Sequence, residues 1–391
     1  MADQSKQTKA ECQVDPLTLR NVPLILDKNR HVMYPLSRSN KVTLNSGEII
    51  QICCSGNNIL YNNKLIKSEC ISIGCLADDG FMFNGDSIEF DGLKCHQIPS
   101  NIIKYTNKTC GGHGSELVIG YDLKQGFITQ ITICFDNINL TPIYAHHTIV
   151  RSIGYRDSNV PRIYFQDNGF YTLPVTLDYL YQKDNQRRIV NALVQIDENS
   201  DKYVRRSGDL FINRGHLAAK GDFVYAFQQM ATFHYPNSSP QWASFNGGNW
   251  NEVEISVRGL ASSREIDLEI YTGVWGTMTL PNTRTNCDTD VYLFTSSNKQ
   301  SVPVPELFWK VVVDARRRSG VAIIGVNNPY DIAVSRHVIC DDISEKISWF
   351  TRLLNAQKKH IEFGYIYACS VTDFGAVVKY LPVLDIDNLL L

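Results

Sequence analysis

The sequence predicts an α+β protein with an all-β first third. Short apolar runs separated by turn residues fill residues 15–140, among them EIIQICC and ELVIGYD, and no stretch there has helical periodicity. After about residue 140, similar runs alternate with helical patterns, which is typical of an antiparallel sheet with flanking helices. Cysteines are also concentrated in the first part, where eight of the 11 precede residue 140.

These patterns divide the chain into three parts. Residues 1–14 begin with the polar stretch MADQSKQTKAEC and predict a flexible arm. Residues 15–140 predict a cysteine-rich β module, and residues 141–391 predict a second domain of mixed structure. The length of 391 residues fits this division, because domains typically have about 100–200 residues.

The second domain carries the strand-like and helical segments that justify its class. The expected strands are YAHHTIV, RIYF, DLFIN, EIDLEIYTGV, VYLFT, FWKVVVDA and GVAIIGV. Apolar residues three or four apart predict helices over 217–233, 246–258 and 343–354. Gly259 directly follows Arg258 and would end the second of these helices.

The composition excludes several classes of protein. The chain is 43% hydrophobic and 20% charged, which is typical of a globular protein and not of a disordered or coiled-coil chain. No apolar run approaches the roughly 18–20 residues of a membrane span, so we expect no membrane association. The net charge of −2 neither indicates nor excludes a nucleic-acid partner.

The cysteines indicate an oxidising compartment. No CxxC pair occurs and no Cys/His spacing matches a zinc module, which leaves disulfides or many free thiols in a cytosolic protein. We favour disulfides, with the odd cysteine unpaired or paired between chains. The adjacent Cys53 and Cys54 should take different partners.

Two further observations bear on secretion. Glycosylation triplets occur at Asn107, Asn139 and Asn237, so we expect a secreted glycoprotein. The polar N-terminus has no apolar core and is not a signal peptide, so we expect a mature chain whose leader was removed or replaced.

The predicted helix 246–258 places polar side chains on an apolar stripe. Asn246, Trp250, Val253, Glu254 and Val257 are spaced by three and four residues. Because an unpaired buried carboxylate is costly, Glu254 needs a metal, a metal-bound water or an arginine as its partner. A structural, hydrogen-bonded glutamate would satisfy the same pattern.

A second cluster, Asn213-Arg214-Gly215-His216, lies between the strand-like DLFI and the expected helix at 217. An imidazole at such a corner can act as a general base near neutral pH. A neighbouring arginine can hold a phosphate or carboxylate with two hydrogen bonds. By itself, the cluster also fits a structural histidine.

Together the two clusters resemble the DNA/RNA non-specific endonucleases, whose core is the ββα-metal nuclease fold. That family has Asp-Arg-Gly-His, then Asn-X-X-Pro-Gln, then Asn-X-Gly-X-Trp and a glutamate. This chain has Asn213–His216, Asn237–Gln241, Asn246–Trp250 and Glu254 in the same order and spacing. The resemblance is greatest to the arthropod extracellular dsRNases and nucleases, and it covers about residues 140–375.

The resemblance implies a role for each matching residue. His216 corresponds to the general base, Asn246 to the protein ligand of Mg²⁺, and Glu254 to the acid that holds metal-bound water. Mn²⁺ would be a possible substitute for Mg²⁺. Arg214 corresponds to an arginine beside the scissile phosphate, and Asn237 and Gln241 to polar, substrate-binding positions that border the site.

Several positions stay open. Asn213 replaces the aspartate of the family signature, which puts the metal preference and activity in question. The second phosphate-binding arginine could be any of Arg151, Arg156, Arg162, Arg187 and Arg188. Arg205-Arg206 and Arg316-Arg317-Arg318 could line a substrate groove or be solvated loops. His146 and His147, adjacent in one expected strand, should point to opposite faces and so not form a metal pair.

The expected function is that of a secreted, Mg²⁺-dependent endonuclease that cuts single- and double-stranded DNA and RNA, including dsRNA, to products with 5′-phosphates. The main alternative is a catalytically degenerate nucleic-acid-binding protein of the same fold. A third possibility is a secreted binding protein whose function lies in the β module. The sequence predicts neither a preference between RNA and DNA nor an oligomeric state.

Overall fold

A computed structural model describes residues 11–36, 39–76, 80–350 and 360–391. Within these ranges, helices are few and strands dominate. The helices are α1 (Leu177–Leu180), α2 (Lys183–Leu193), α3 (Ala226–Met230), α4 (Ala243–Asn246), α5 (Asn249–Ser263) and α6 (Val371–Val377).

The strands of the amino-terminal part are short. They are β1 (Glu11–Val14), β2 (Leu24–Leu26), β3 (Val42–Asn45), β4 (Ile49–Cys53), β5 (Ile59–Tyr61), β6 (Lys64–Ile66), β7 (Cys70–Cys75), β8 (Gly80–Phe83), β9 (Asp86–Glu89) and β10 (Leu93–Cys95). They form a five-stranded sheet in the order β2-β4-β7-β8-β9, a three-stranded sheet β10-β5-β6 and the pair β1-β3. The all-β prediction for this part is therefore confirmed.

The remaining strands are longer. They are β11 (Ile102–Cys110), β12 (Gly114–Leu123), β13 (Gly126–Asp136), β14 (Thr141–Ile149), β15 (Ile212–His216), β16 (Ser238–Trp242), β17 (Leu268–Trp275), β18 (Thr279–Pro281), β19 (Asp288–Asp290), β20 (Tyr292–Thr295), β21 (Gln300–Pro303), β22 (Leu307–Asp314), β23 (Ser319–Val326), β24 (Ile366–Cys369) and β25 (Asn388–Leu389). Nine of them form one sheet in the order β11-β12-β13-β14-β17-β22-β23-β24, and β25 pairs with β23. The pairs β15-β16, β18-β19 and β20-β21 are separate.

The nine-stranded sheet is the middle layer of the molecule. All eight residues of β22 are buried, because its two faces pack into different apolar clusters. Phe308 and Val312 face the cluster that contains Trp250 of α5, whereas Trp309 and Val311 face the cluster that contains Phe374 of α6. A strand covered on both faces explains the continuous apolar run in the sequence.

The large sheet extends into the part assigned to the β module. Strands β11, β12 and β13, which lie before residue 140, pair in sequence and continue directly into β14. The expected boundary at residue 140 therefore falls between two hydrogen-bonded strands. The sheet topology favours a boundary near residue 101 instead.

Three expectations about local structure need correction. Residues 11–14, included in the predicted arm, form β1 on β3, whereas residues 1–10 lie outside the described ranges. The predicted helix 217–233 is helical only in α3 and in a 3₁₀ turn at Lys220–Asp222, and its other apolar residues are buried in irregular backbone. The predicted helix 343–354 begins as 3₁₀ turns at Ser344–Lys346 and Ser348–Phe350, and its end lies outside the described residues.

Two further elements differ from expectation. The RIYF segment belongs to no strand, and α2 was not predicted at all. The buried residues of α2 include four polar ones, Asn185, Gln186, Arg187 and Asn191, so the apolar periodicity on which the prediction relied is weak there. The other expected strands of the second domain are present, although β15 covers only the end of DLFIN.

The prediction of disulfides is confirmed. The bonds are Cys12–Cys75, Cys53–Cys70, Cys54–Cys95, Cys110–Cys134 and Cys340–Cys369, and the exposed Cys287 is free. Cys53 and Cys54 take different partners, as expected. Three of the bonds lie within the amino-terminal sheets, whose separate core is small and gains the most from cross-links.

In the described part of the chain, no helix combines the length and the apolar character needed to cross a membrane.

Candidate active site

A β-hairpin and a helix place the residues of the two sequence clusters around one cleft. In the hairpin, β15 pairs antiparallel with β16, so that His216 lies opposite Ser238 and Asn213 opposite Gln241. Gly215 is required in this hairpin, because a Cβ there would lie 2.2 Å from the side-chain oxygen of Gln241. The cleft next to the hairpin has a volume of about 610 Å³.

The helix on the other side of the cleft differs from the predicted one. Asn246 is the last residue of α4, and α5 begins three residues later at Asn249 and continues through Gly259 to Ser263. Gly248 makes the break possible, since a Cβ there would lie 2.3 Å from the carbonyl oxygen of Ser244. Asn246 therefore reaches the cleft from its own short helix and not from the stripe of α5.

The apolar stripe of α5 is buried, as the sequence predicted. Trp250, Val253 and Val257 are fully buried, and they anchor the helix to the core. Glu254, one turn from Trp250, faces the cleft, with 16% of its side chain exposed. Packing thus fixes the position of the carboxylate.

The cleft brings together side chains from five segments of the chain. Its walls contain His216, Asn246 and Glu254, which the sequence singled out, and Asn213. They also contain three cationic residues and one carboxylate that frame the opening, namely Arg162, Lys220, Arg258 and Asp209.

His216 occupies an apolar niche at the edge of the cleft. Its residue exposure is 9%, and its ring lies 4.9 Å from the ring of Phe165 and 5.0 Å from that of Phe233, measured between centroids. Its Nε2 atom has no hydrogen-bond partner in the described part of the structure. Burial, together with the positive charges of Arg162 and Lys220, lowers the pKa of His216 to about 3. The imidazole is therefore neutral at physiological pH, which is the form that a general base must have before it reacts.

Glu254 is a carboxylate whose charge is incompletely balanced. The nearest cation is Arg258, one helical turn away, whose Nη1 lies 3.7 Å from Glu254 Oε2. Burial raises the pKa of Glu254 to about 7, against the lowering effect of Arg258. A cation or a hydrogen-bond donor in the cleft would therefore stabilise its ionised form.

Arg258 is shared with a second carboxylate behind the cleft wall. Its Nη1 donates to Asp222 Oδ1 at 2.9 Å, and the other oxygen of Asp222 lies 3.0 Å from His147 Nε2. Burial opposes ionisation of Asp222, but the hydrogen bond from His147 and the charge of Arg258 hold its pKa well below the usual range. The buried Lys310 lies close enough to lower the pKa of both acids, and its Nζ donates to Thr272.

Arg214 does not line the cleft. Its Nη2 donates to Asp178 at 2.7 Å, and its Nε donates to the hydroxyl of Tyr235 at 2.9 Å. The guanidinium also lies over the ring of Tyr181, 4.6 Å from its centroid. In this structure the arginine is therefore held by protein groups beside the strand that carries His216.

Asn237 and Gln241 are fully buried and do not line the cleft either. The Asn237 side chain bonds to the backbone of Ala218 and Thr232 and so fixes the turn after His216. This burial also makes Asn237 inaccessible to glycosylation in the folded protein, whereas Asn107 and Asn139 are exposed. The side-chain amide of Gln241 has no partner in the described residues and packs on Gly215.

Of the five candidate arginines, the structure places one in the cleft. Arg162 is exposed and lines the cleft. Arg151 pairs with Asp267, Arg187 with Asp184, and Arg188 bonds Asn185, while Arg156 lies near Arg258 without lining the cleft.

The arginine clusters considered for a groove lie outside the cleft lining. Arg317 pairs with Asp314 at the end of β22, Arg318 pairs with Asp385 near the carboxyl end of the chain, and Arg206 donates to a backbone oxygen. His146 and His147 contact different carboxylates, Glu269 and Asp222, as expected for opposite faces of a strand.

Sequence reasoning missed Arg258, Lys220 and Asp222. Arg258 could have been found, because it lies four residues after Glu254 and hence on the same helix face. Asp222 and Lys220 had no such signal. They lie in the segment that was predicted as a helix, and only the irregular backbone brings Lys220 to the cleft wall and Asp222 behind it, under Arg258.

In the described residues, no group of three or more His, Cys, Asp or Glu side chains is placed to hold a metal ion. The donors on the cleft wall are nevertheless oxygen atoms of Asn246, Glu254 and Asp209, the type that Mg²⁺ prefers. The unbalanced charge of Glu254 fits a nearby cation. The residues present therefore suit a hard divalent ion with few protein ligands.

A hairpin and a helix that frame a cleft with a neutral histidine define a ββα nuclease type of site. The family model described as DNA/RNA non-specific endonuclease matches residues 118–374, about two thirds of the chain. The chain belongs to this family, which confirms the resemblance seen in the sequence and the predicted fold class.

Individual relatives come from insects. The chain is 29% identical over 304 residues to a salivary endonuclease of Lutzomyia longipalpis, which covers 77% of this chain and 70% of the relative. It is 22% identical over 384 residues to salivary protein Tsal2A of Glossina morsitans morsitans, and this match covers 94% of this chain and 90% of the relative. A solved structure of the EndoG/EndoGI complex contains a chain with 20% identity and a TM-score of 0.37, which covers 51% of this chain and 73% of that one.

Proposed function

We propose that the chain is a secreted, Mg²⁺-dependent endonuclease that hydrolyses phosphodiester bonds of DNA and RNA, single- and double-stranded, and leaves 5′-phosphates. The observation that carries the proposal is the meeting of His216, Asn246 and Glu254 on one cleft whose rim is cationic. A neutral base, oxygen ligands and fixed positive charge are what this hydrolysis requires. Double-stranded RNA is included as a substrate because contacts to phosphates do not depend on sequence or sugar.

His216 is proposed as the general base. Its apolar niche keeps the imidazole neutral, so that it accepts a proton from the water that attacks phosphorus. The negative phosphate of a bound substrate would then stabilise the imidazolium that forms. Phe165 and Phe233 exclude competing water from one side of the ring.

Asn246 is the proposed direct ligand of the divalent ion, and Glu254 holds a water of its shell. When bound, Mg²⁺ supplies positive charge to the phosphate oxygens and to the leaving oxygen. A neutral amide ligand preserves most of that charge. Mn²⁺ is proposed to replace Mg²⁺, because it takes the same oxygen ligands.

Arg162, Lys220 and Arg258 are proposed to bind the phosphates on both sides of the bond that is cut. Arg214 is engaged with Asp178 and Tyr235, and we propose that it supports the strand of His216. For the buried Asn237 and Gln241 we propose supporting roles as well. Asn213 stands where the family signature has an aspartate. Its side-chain Oδ1 accepts a hydrogen bond from the backbone N–H of Arg214, so the amide still provides an oxygen acceptor at this position.

Secretion is proposed from two observations. The chain has five disulfides, which persist in oxidising compartments. Relatives of this chain are named as salivary proteins. Glycosylation is proposed only for the exposed Asn107 and Asn139.

A degenerate nucleic-acid-binding protein is the second candidate, and the replacement of the signature aspartate by Asn213 favours it. Digestion of supercoiled plasmid and long double-stranded RNA separates the two candidates. Wild type with Mg²⁺ should degrade both polymers, whereas EDTA or His216→Ala should stop the reaction. A wild type that shifts nucleic acid on a gel but cuts none with any divalent ion would establish the binding protein instead.

A further inference from the structure

Asp222 is a buried carboxylate that has no role in the proposed hydrolysis. Its side chain is 1% exposed and lies behind the cleft wall, not in it. One oxygen accepts from Arg258 Nη1 at 2.9 Å, and the other lies 3.0 Å from His147 Nε2. A carboxylate so enclosed is costly to bury, so its contacts need an explanation.

The bond to Asp222 decides where the Arg258 cation lies. The same Nη1 atom is 2.9 Å from Asp222 but 3.7 Å from Glu254. Charge-assisted hydrogen bonds between a guanidinium and a carboxylate have lengths of about 2.7–2.9 Å. Arg258 therefore donates one hydrogen bond of ordinary length to the acid behind the wall and forms only a longer ion pair with the acid on the wall.

The formal charges around this pair sum to zero, although the paired cation of Glu254, Arg258, is no closer than 3.7 Å. Two acids, Asp222 and Glu254, lie beside two cations, Arg258 and the buried Lys310, and burial lowers the pKa of His147 so that it stays neutral. If Asp222 lost its charge, Glu254 would be the only carboxylate paired with Arg258 among the described residues. The guanidinium would then close on Glu254, because attraction grows as the distance shortens in a partly dry site.

We propose that Asp222 is a positioning residue that holds Arg258 away from Glu254 and so keeps the Glu254 carboxylate available to a cation in the cleft. The Glu254 carboxylate binds an ion in the cleft less strongly when it is also paired closely with Arg258. Asp222 thus increases the affinity of the cleft for a divalent ion without touching that ion. This inference rests on the proposed function only in taking the cleft as a cation site.

Direct binding of Mn²⁺, measured by calorimetry or by the loss of its free paramagnetic resonance signal, tests the inference without turnover. Asp222→Asn should weaken binding about tenfold or more, since supporting residues typically change metal affinity by about 10–100-fold. In the double variant Asp222→Asn/Arg258→Gln, the formal charges of Glu254 and Lys310 again sum to zero, and the guanidinium no longer competes for Glu254. Its affinity should recover to within about threefold of wild type, which is a non-additive effect.

If Asp222 had a merely structural role, the double variant would bind Mn²⁺ no better than Asp222→Asn does. That outcome, or unchanged binding in Asp222→Asn, would overturn the inference. Asp314→Asn is the matched control, because Asp314 is equally buried, pairs with Arg317 and lies away from the cleft. It should leave Mn²⁺ binding unchanged.

If Asp222→Asn does not fold, the single variant Arg258→Gln tests the inference. Removal of the competing cation should leave Mn²⁺ binding equal to or tighter than that of wild type, and weaker binding would contradict the inference. Failure of the proposed function has a different signature. In that case wild type itself binds no Mn²⁺, whichever residue stands at position 222.

Discussion

The ring of Phe165 lies against the imidazole of His216, with 4.9 Å between the two centroids. This contact links a segment that belongs to no strand to the end of β15. Because burial is the main cause of the lowered pKa of His216, the contact has a measurable consequence.

Phe165→Ala should raise the pKa of His216 from about 3 toward the ordinary value of 6.5, because water reaches the ring. NMR titration of the His216 Cε1 proton measures this directly. Phe165→Leu, which still excludes water, should stay near the wild-type value. An equal pKa in the alanine variant and wild type would show that burial by Phe165 is not the cause.

Arg162→Gln should lower kcat/KM on duplex DNA about tenfold, because a hydrogen bond to a charged group contributes about 1.5–3 kcal/mol. The plot of log binding affinity against log salt concentration should lose about one unit of slope, as expected for one lost phosphate contact. Binding is measured in EDTA to prevent cleavage. Arg20→Gln is the control, since it removes the same charge from an exposed arginine of the amino-terminal part. Equal slopes for both variants would exclude a phosphate contact by Arg162.

Stability should fall as the pH is lowered, in part because of His234. Burial lowers its pKa from 6.5 to about 4, and its ring bridges Asn101 and Asn168 at 2.7 Å each. Below pH 6.5 the unfolded chain binds a proton at this position, but the folded chain does not until the pH approaches 4. The free energy of unfolding therefore decreases through this window, by at most about 1.4 kcal/mol per pH unit for one proton.

Urea unfolding at several pH values should show a shallower pH dependence in His234→Gln than in wild type. His96→Gln, at an exposed position, serves as the control and should retain the wild-type slope. A His234→Gln protein with the full wild-type slope would show that His234 takes up no proton on unfolding.

Replacing Cys54 and Cys95 together by serine should destabilise the folded protein by about 4 kcal/mol, the chain-entropy value for a loop of this length. The bond joins residues 41 apart within the small amino-terminal core. Cys287→Ser should be neutral, since that thiol is free and exposed. Urea unfolding gives both values, and an unaffected double variant would contradict the pairing.

Sequence by itself determined the family, the disulfide-rich β part and most strands of the large sheet, and it singled out His216, Asn246 and Glu254, which the fold brings to one cleft. These features depend on information that is local in the sequence, namely alternation along strands and the types and spacing of residues in a motif. Asn213-Arg214-Gly215-His216 and Asn246 were recognisable without any knowledge of distance.

Tertiary structure alone decided which other residues join the site. Five arginines were equivalent in the sequence, and only the fold places Arg162 at the cleft while Arg151 and Arg187 pair elsewhere. It also separates Asn246 from α5, turns Arg214 toward Asp178, and brings Asp222 under Arg258. The physical reason is that the position of a charged side chain depends on burial and on partners distant in sequence, neither of which local periodicity contains.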